Sequence, residues 1–316
     1  MKAIFQTGYG SPDFFEYRET EKPTIKDNEV LVSVHATSLN AGDLFFMRGV
    51  PRMVRLVAGL PNPNKYIPGY DVAGQVLEVG KKVTQFQRGD DVFGSGERTC
   101  AEQVCVKEKN IIHKPPSISY EQAAALPTSA LTALQGLRDV GKIKAGQKVI
   151  INGASGGVGT YAVQIAKAFG AEVTGVCSTR NADMVRSIGA DHVIDYTKQD
   201  FTQSEHKYDL ILDQIANHSL ADCRRILTSS GVHVPNSGNR GMAYIIKAFI
   251  SSLFIRQQGS TFFSVPKKRD FEVLRELAET GKVKPVIDKT YQLSEISEAF
   301  RYIEEMHASG KIVITV

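Results

Sequence analysis

The sequence lacks long hydrophobic segments. Its longest apolar run, from Met242 to Phe254, is interrupted by Lys247 and two serines and is too short to span a membrane. The first residues, MKAIFQTGYGSPDFF, break into Gly and Pro before an apolar signal-peptide core can form. We therefore predict a cytoplasmic protein with no membrane partner.

Cysteine is scarce, and its spacing fits no metal site. The four cysteines form neither closely spaced C-x₂-C pairs nor a dense disulfide framework. The seven histidines are scattered, with no H-E-x-x-H motif. These patterns predict reduced, packed thiols and no metal ligand set.

The chain also lacks a strong charge of either sign. It has 38 Lys and Arg against 34 Asp and Glu, a formal net charge of +4. Its one basic cluster, Lys267-Lys268-Arg269, is followed by Asp270 and Glu272, as at the beginning of a helix. A nucleic-acid partner is therefore not predicted.

The length of 316 residues and the apolar patterning predict two domains. Residues 1–119 consist of short alternating segments such as VLVSVHATSL, DVAGQVLEVG and AEQVCVKEKNIIHKP, which are typical of β-strands between turns. From the helical stretch EQAAALPTSALTALQGLRDV onward, residues 120–265 alternate between helix and strand, ending with a sixth strand, TFFSV. Such alternation predicts a doubly wound parallel sheet, so the fold class is α/β. Residues 266–316 are expected to pack back on the first domain.

The sharpest motif is the loop GASGGVG, residues 153–159, between the strand KVIIN and a helix. It resembles G-x-G-x-x-G with Ala154 in the first position. Glycine lets the backbone approach a pyrophosphate, and the N-terminus of the helix offers N–H donors to the anion. This context predicts dinucleotide binding.

The next predicted strand ends without a carboxylate that could hold an adenosine 2′-hydroxyl. Ser178, Thr179 and Arg180 stand there instead, and Arg180 suits a 2′-phosphate. This composition favours NADPH, although Asp183 leaves NAD open and Arg180 could be a solvated residue at the helix entry.

Several segments together resemble the zinc-independent quinone oxidoreductases of the medium-chain dehydrogenase/reductase superfamily. The resemblance is carried by MKAIFQTGYG, SLNAGDLFFMRG, IPGYDVAGQVLEVG, AAALPTSALTA, GASGGVG, SIGADHVIDY and GKIVITV. It implies a GroES-like catalytic domain built from residues 1–119 and 266–316, a Rossmann domain over 120–265, and a cofactor cleft between them. It also implies a homodimer formed through the last Rossmann strand, near Ser260 to Val265.

The same resemblance implies the site residues. The cofactor is expected to contact Asn40, Thr128, Ala154, Ser155, Gly156, Gly157, Val158, Gly159, Ser178, Arg180 and Tyr196. Tyr70, Asn40 and Asp43 are expected at the substrate cleft, with Tyr70 as the candidate hydroxyl near the substrate oxygen. Tyr70, Tyr196 and Thr128 could instead be packing residues, and Asp43 could organise its loop by capping backbone N–H groups. Residues 48–66 are read as an apolar lip that favours a hydrophobic substrate, or as a plain surface excursion.

Two departures from the zinc-dependent alcohol dehydrogenases bear on the reaction. Asn40 replaces a ligating Cys, and Gly69-Tyr70-Asp71 replaces Gly-His-Glu, so two metal ligands are missing. Without a Lewis acid, acceptors that delocalise the incoming negative charge are favoured. We predict NADPH-dependent reduction of quinones or α,β-unsaturated carbonyls.

Three alternatives stay open at this point. They are a zinc-free NADP(H)-dependent alcohol dehydrogenase, an enoyl-reductase module, and a cofactor-binding protein with little turnover and RNA affinity.

Overall fold

The computed structural model describes residues 1–63, 66–236, 241–260, 262, 264–305 and 308–316. Over these residues the strands are β1 (Lys2–Gln6), β2 (Phe15–Glu19), β3 (Glu29–Leu39), β4 (Asp71–Val79), β5 (Asp91–Ser95), β6 (Gln103–Lys107), β7 (Ile111–His113), β8 (Lys148–Asn152), β9 (Glu172–Cys177), β10 (His192–Asp195), β11 (Tyr208–Asp213), β12 (Leu227–Pro235), β13 (Ile287–Gln292) and β14 (Lys311–Thr315). The helices are α1 (Ala41–Arg48), α2 (Arg55–Ala58), α3 (Tyr120–Ala125), α4 (Pro127–Gln135), α5 (Gly157–Ala168), α6 (Ala182–Ser187), α7 (Leu220–Arg225), α8 (Gly241–Phe254), α9 (Lys268–Glu279) and α10 (Ile296–Glu304). None of the helices in the described ranges is long and apolar enough to cross a membrane.

The chain divides into two compact units. The first comprises Met1–Ser129, Pro266–Thr280 and Pro285–Val316, and the second Ala130–Val265 and Gly281–Lys284. The first boundary falls ten residues after the predicted one, because α3 packs on β3 and β4 and stays with the first unit.

The first unit is built on a sheet with strand order β13-β14-β3-β4-β5-β7, and β6 also pairs with β3. The C-terminal strand β14 lies antiparallel to β3, which brings the two ends of the chain into one sheet. Its apolar core includes Ile4, Leu39, Met47 and Phe300, all buried. A second cluster fills the space around β3, β4 and β6.

The second unit contains a five-stranded sheet, ordered β10-β9-β8-β11-β12, in which every pairing is parallel. β8 and β11 at its centre are continuous apolar runs because helices cover both faces of a parallel sheet. The predicted α/β fold class is confirmed. The predicted sixth strand and the dimer contact at Ser260–Val265 include residues 261 and 263, which lie outside the described residues.

Two predicted elements are each divided in the structure. The predicted strand AEQVCVKEKNIIHKP forms β6 and β7, which pair with different neighbours and are separated by a turn at Glu108–Asn110. The predicted helix from residue 121 to 140 breaks after α3, because Pro127 has no N–H to continue the helix and begins α4 instead.

Candidate functional site

The glycine-rich loop of the second unit connects β8 to α5, as the sequence predicts. Gly153 has a φ of +86°, which favours glycine. At Gly159 a Cβ would lie 2.0 Å from the Gly153 carbonyl oxygen, so a side chain there would separate the helix from the strand. Two of the glycines are therefore required by the loop itself.

No contact within the loop requires glycine at position 156. Its φ is −81°, and a Cβ would meet no protein atom nearer than 3.5 Å. The space beside it is open, and the N–H groups of Gly157, Val158 and Gly159 have no acceptor within α5 because they belong to its first turn. An open backbone surface with several N–H donors fits a pyrophosphate group.

Ala154 and Ser155 hold the loop in place. The backbone N–H of Ala154 donates to the Val176 carbonyl at 2.9 Å, and its side chain is buried. The Ser155 hydroxyl accepts a hydrogen bond of 3.1 Å from the Asn181 side chain. These contacts fix the loop against β9 and the turn that follows it.

The three residues predicted around the adenosine lie on adjacent strand ends. Ser178 precedes the short turn Thr179–Asn181, which carries Arg180, and both Arg180 and Tyr196 are exposed. The Tyr196 N–H donates to the Cys177 carbonyl at 3.1 Å, which joins the ends of β9 and β10. Ser178, Arg180 and Tyr196 thus occupy one edge of the parallel sheet.

Sequence reasoning missed Asp195 at this edge. One oxygen accepts from the Thr179 hydroxyl at 2.5 Å and the other from the Thr197 hydroxyl at 2.7 Å. These bonds, the Thr179 bond first, hold the pKa of Asp195 well below its usual range. The Lys198 ammonium lies 3.4 Å away. This carboxylate is already engaged by its own neighbours.

In the first unit, Asn40 and Asp43 form a capping box at the beginning of α1. The Asn40 N–H donates to Asp43 at 2.8 Å, so the structure shows the capping arrangement weighed for Asp43. The other Asp43 oxygen is buried and has no hydrogen-bond partner. Burial raises the pKa of this carboxyl group to about 7.

Asp71, at the beginning of β4, gathers the polar side chains of this region. Ser38 and Asn40 donate to one of its oxygens at 2.6 and 2.9 Å. The Thr128 N–H and hydroxyl donate to the other at 2.9 and 2.5 Å. Asn40 and Thr128, both predicted at the cofactor, are therefore brought together by a carboxylate that sequence reasoning did not assign to the site.

Lys311 completes this cluster and was also missed. Its ammonium group is buried, lies 3.7 Å from Asp71, and donates to the Asn40 side-chain oxygen, the Leu39 carbonyl and the Ser129 hydroxyl at 2.5, 3.0 and 3.1 Å. Burial lowers its pKa, and Asp71 opposes that effect. We call Asn40, Asp71, Thr128, Ser129 and Lys311 the polar cluster.

Tyr70 precedes Asp71 and pairs with a second tyrosine. The Tyr66 and Tyr70 hydroxyl oxygens lie 3.0 Å apart, and the Phe46 ring stacks on Tyr66 with centroids 5.4 Å apart. Burial raises the pKa of Tyr70 to about 12, so its hydroxyl keeps its proton at neutral pH.

The predicted lip begins where α1 ends and contains α2. Val50, Met53, Leu56 and Leu60 are all more than half exposed. The Tyr9 hydroxyl donates to the Gly59 carbonyl at 2.7 Å and ties the segment down. Residues 64 and 65 of the lip lie outside the described residues.

Within the described chain, one group of potential metal ligands lies in the second unit. Ligand atoms of Asp213, Cys223 and His233 lie within 4.8 Å of one another, and all three residues are buried. Asp213 already accepts from His233 at 3.2 Å and from Asn152 and the Ala216 N–H at 2.8 Å. No sequence motif predicts this group, because its residues come together only through the pairing of β11 with β12 and the position of α7.

Comparison with known proteins identifies both halves of the chain. Residues 26–116 match the family model described as the alcohol dehydrogenase GroES-like domain, and residues 188–314 match the model described as zinc-binding dehydrogenase. A chloroplast envelope quinone oxidoreductase homolog from Arabidopsis thaliana is 34% identical, over 99% of this chain and 98% of that protein. An NADPH-dependent alkenal/one oxidoreductase, chloroplastic, from the same plant is 32% identical, over 99% of this chain and 79% of that protein.

A solved structure supports the same assignment. The quinone oxidoreductase from Coxiella burnetii has a TM-score of 0.90 and 30% identity, covering 100% of this chain and 99% of that one. Because the two plant relatives are named as chloroplast proteins, the cytoplasmic location stays a prediction.

Proposed function

The chain belongs to the quinone oxidoreductases of the medium-chain dehydrogenase/reductase superfamily, and we propose that it reduces quinones or α,β-unsaturated carbonyls with NADPH and without zinc. Its relatives are named as quinone, alkenal/one and NAD(P)H oxidoreductases, so oxidoreductase chemistry with a nicotinamide cofactor is common to them.

The choice of NADPH rests on the strand edge around Arg180. A guanidinium group suits a 2′-phosphate, and Ser178 adds a hydroxyl donor. Two carboxylates lie near this edge. Asp195 accepts a hydrogen bond from Thr179, and Asp183 pairs with Arg186 at 2.8 Å. Asp195 therefore offers no unpaired carboxylate for the ribose of NAD, whereas Asp183 has a fully exposed side chain held only by a surface ion pair.

The polar cluster is the observation that carries the metal-free proposal. Asn40 stands where the zinc-dependent enzymes hold a ligating Cys, and Tyr70, the residue before Asp71, stands where they hold a ligating His. The polar atoms of Asn40 and Asp71 bind each other, Thr128 and Lys311. A buried ammonium group 3.7 Å from Asp71 also repels a divalent cation. These residues do not fit a catalytic zinc ion.

In the proposed metal-free site no Lewis acid stabilises the negative charge that forms on the acceptor, and this restricts the class of acceptor. NADPH, when bound, supplies a hydride equivalent. An isolated carbonyl would place the resulting charge on one oxygen, whereas a quinone or enone spreads it over a conjugated system, so ordinary hydrogen-bond donors suffice.

Tyr70 is the proposed donor to the acceptor oxygen. Either hydroxyl can be the donor in the Tyr66–Tyr70 hydrogen bond, and when Tyr66 donates, the Tyr70 proton is free to point toward a substrate oxygen. The Tyr70 hydroxyl is protonated at neutral pH, as an ordinary tyrosine hydroxyl is, and can therefore donate a hydrogen bond.

The variant Tyr70→Phe tests this role. We expect kcat/KM with a quinone to fall by about tenfold to a hundredfold, because one transition-state donor is lost, while NADPH affinity is retained. Tyr120→Phe is a matched control, since it removes a hydroxyl that binds Asp91 elsewhere in the same unit, and it should leave kcat/KM unchanged. An unchanged kcat/KM in Tyr70→Phe would rule out Tyr70 as the donor.

A further inference from the structure

Helix α8 in the second unit carries an uncovered apolar face. Ile246, Phe249, Ile250, Leu253 and Phe254 are between 50% and 83% exposed. They follow the i, i+3, i+4, i+7, i+8 spacing, which places them on one side of the helix. Five large apolar side chains on one face form a patch of the kind that marks an interaction surface.

The opposite side of α8 anchors it to the domain. Tyr244 and Ala248 are buried and form a cluster with Ala216 and Leu220. Among the side chains that the structure describes, the helix thus has one packed face and one exposed face. This arrangement differs from a buried helix, which would hide its apolar residues all round.

The charge around α8 has one sign. No Asp or Glu occurs between Asp222 and Asp270, although the whole chain has 34. The same stretch contains the basic residues Arg224, Arg225, Arg240, Lys247, Arg256, Lys267, Lys268 and Arg269. It therefore carries a formal charge of +8, and the rest of the chain carries −4, since the total is +4.

Two of these basic residues are exposed next to the apolar face, Lys247 within α8 and Arg256 just after it. A second copy of this chain would bring the same basic residues against one another with no carboxylate from the stretch to pair them. An anionic lipid surface accepts both features, because its headgroups neutralise Lys and Arg and its acyl boundary takes the apolar side chains.

We propose that α8 lies in the surface of an anionic lipid bilayer, with Ile246, Phe249, Ile250, Leu253 and Phe254 facing the acyl chains and Lys247 and Arg256 at the headgroups. The short apolar run predicts no membrane-spanning helix and, with it, no membrane partner, and the proposal departs from the second of these predictions. A helix that lies in the plane of the interface needs only one apolar face, and the 14 residues of α8 provide it. The proposal stands independently of the acceptor that the protein reduces.

Vesicle sedimentation tests this directly. The full chain is mixed with vesicles of equimolar phosphatidylcholine and phosphatidylglycerol, or of phosphatidylcholine alone, and the bound fraction is measured at low and high salt. We expect binding to the anionic vesicles that weakens with salt, and at least about tenfold weaker binding to the neutral ones. Phe249→Ser with Leu253→Ser, and Lys247→Glu with Arg256→Glu, should each lower the partition coefficient at least about tenfold.

The control is Phe14→Ser with Tyr17→Ser, which removes two exposed aromatic side chains from the other unit and should leave vesicle binding unchanged. Thermal unfolding checks that each variant is folded. Absence of binding to anionic vesicles would overturn the proposal, as would equal binding by the α8 variants and the unaltered chain. Sedimentation velocity adds a separate outcome: a dimer that Phe249→Ser with Leu253→Ser converts to monomer would assign the face to a second copy instead.

Discussion

At the scale of single residues, Lys311 connects side chains from separate parts of the chain. Its buried ammonium binds Asn40 and Ser129 and lies beside Asp71. We expect Lys311→Met to lower the free energy of unfolding by about 3–5 kcal/mol, because the Asp71 carboxylate is left buried without its cation. Denaturant unfolding measures the change.

An exposed lysine provides the comparison. Lys26 lies 3.7 Å from Glu29 with its side chain 77% exposed, so Lys26→Met should change the free energy of unfolding by less than about 1 kcal/mol. Equal effects of the two substitutions would contradict a structural role for the buried pair.

Asp43 makes stability depend on pH. Its folded-state pKa is raised from 3.8 to about 7, so between these values the folded state holds a proton that the unfolded state has released. Stability from this group is therefore unaffected below about pH 4, falls as pH rises toward 7, and is constant above that. The total loss is up to about 4 kcal/mol, at about 1.4 kcal/mol for each unit of pKa difference.

Asp43→Asn keeps an oxygen for the Asn40 N–H and cannot ionise. We expect the difference in unfolding free energy between the variant and the unaltered chain to grow in favour of the variant from about pH 4 to about pH 8. Denaturant titrations across this range measure it. A constant difference at every pH would show that Asp43 ionises normally in the folded state.

The residues that the sequence predicts at the site differ in one physical respect from those that only the structure brings there. Asn40, Tyr70 and Gly156 lie in short segments whose local pattern is informative. Lys311 is 271 positions from Asn40, and only the pairing of β14 with β3 brings it to the polar cluster. A lone lysine before a C-terminal strand carries no signal that it will be buried.

At the scale of elements, the loop between β8 and α5 separates two uses of glycine. Gly159→Ala would place a Cβ 2.0 Å from a backbone oxygen, so we expect a loss of several kcal/mol in stability. Gly156→Ala meets no close atom and should cost about 1 kcal/mol or less. We expect it nevertheless to weaken NADPH binding about tenfold or more, because the methyl group enters the space assigned to the pyrophosphate.

Thermal unfolding and a fluorescence titration with NADPH separate these effects. Unchanged NADPH affinity in Gly156→Ala would refute the assignment of that space. Equal destabilisation by the two substitutions would refute the distinction between the two glycines.

The boundaries of strands and helices could be predicted where a single hydrophobic period ran through the segment. The alternation of strands and helices from β8 to β12 was readable because apolar strands and amphipathic helices differ in period. The break at Pro127 and the division between β6 and β7 were missed, since both stretches keep a continuous apolar pattern across the interruption. In these two stretches the missing N–H of Pro127 and the different strands that pair with β6 and β7 set the element boundaries. The composition of the sequence shows neither.

At the scale of the whole molecule, the fold class and the family could be predicted because motifs occur along the full length of the chain. The position of the first boundary could not, because the packing of α3 on β3 and β4 depends on contacts that no local pattern encodes. The same holds for the polar cluster, whose members come from β4, α4, β14 and the residue before α1.

Metal-free reduction of conjugated acceptors can be tested by the rate of NADPH consumption. The rate is measured with matched quinones, 2-alkenals and saturated aldehydes, with a metal chelator present and with NADH in parallel. We predict turnover of the conjugated acceptors that the chelator does not change, at least about a hundredfold slower turnover of saturated aldehydes, and a preference for NADPH. Loss of activity on chelation, or turnover of saturated aldehydes alone, would contradict metal-free reduction of conjugated acceptors.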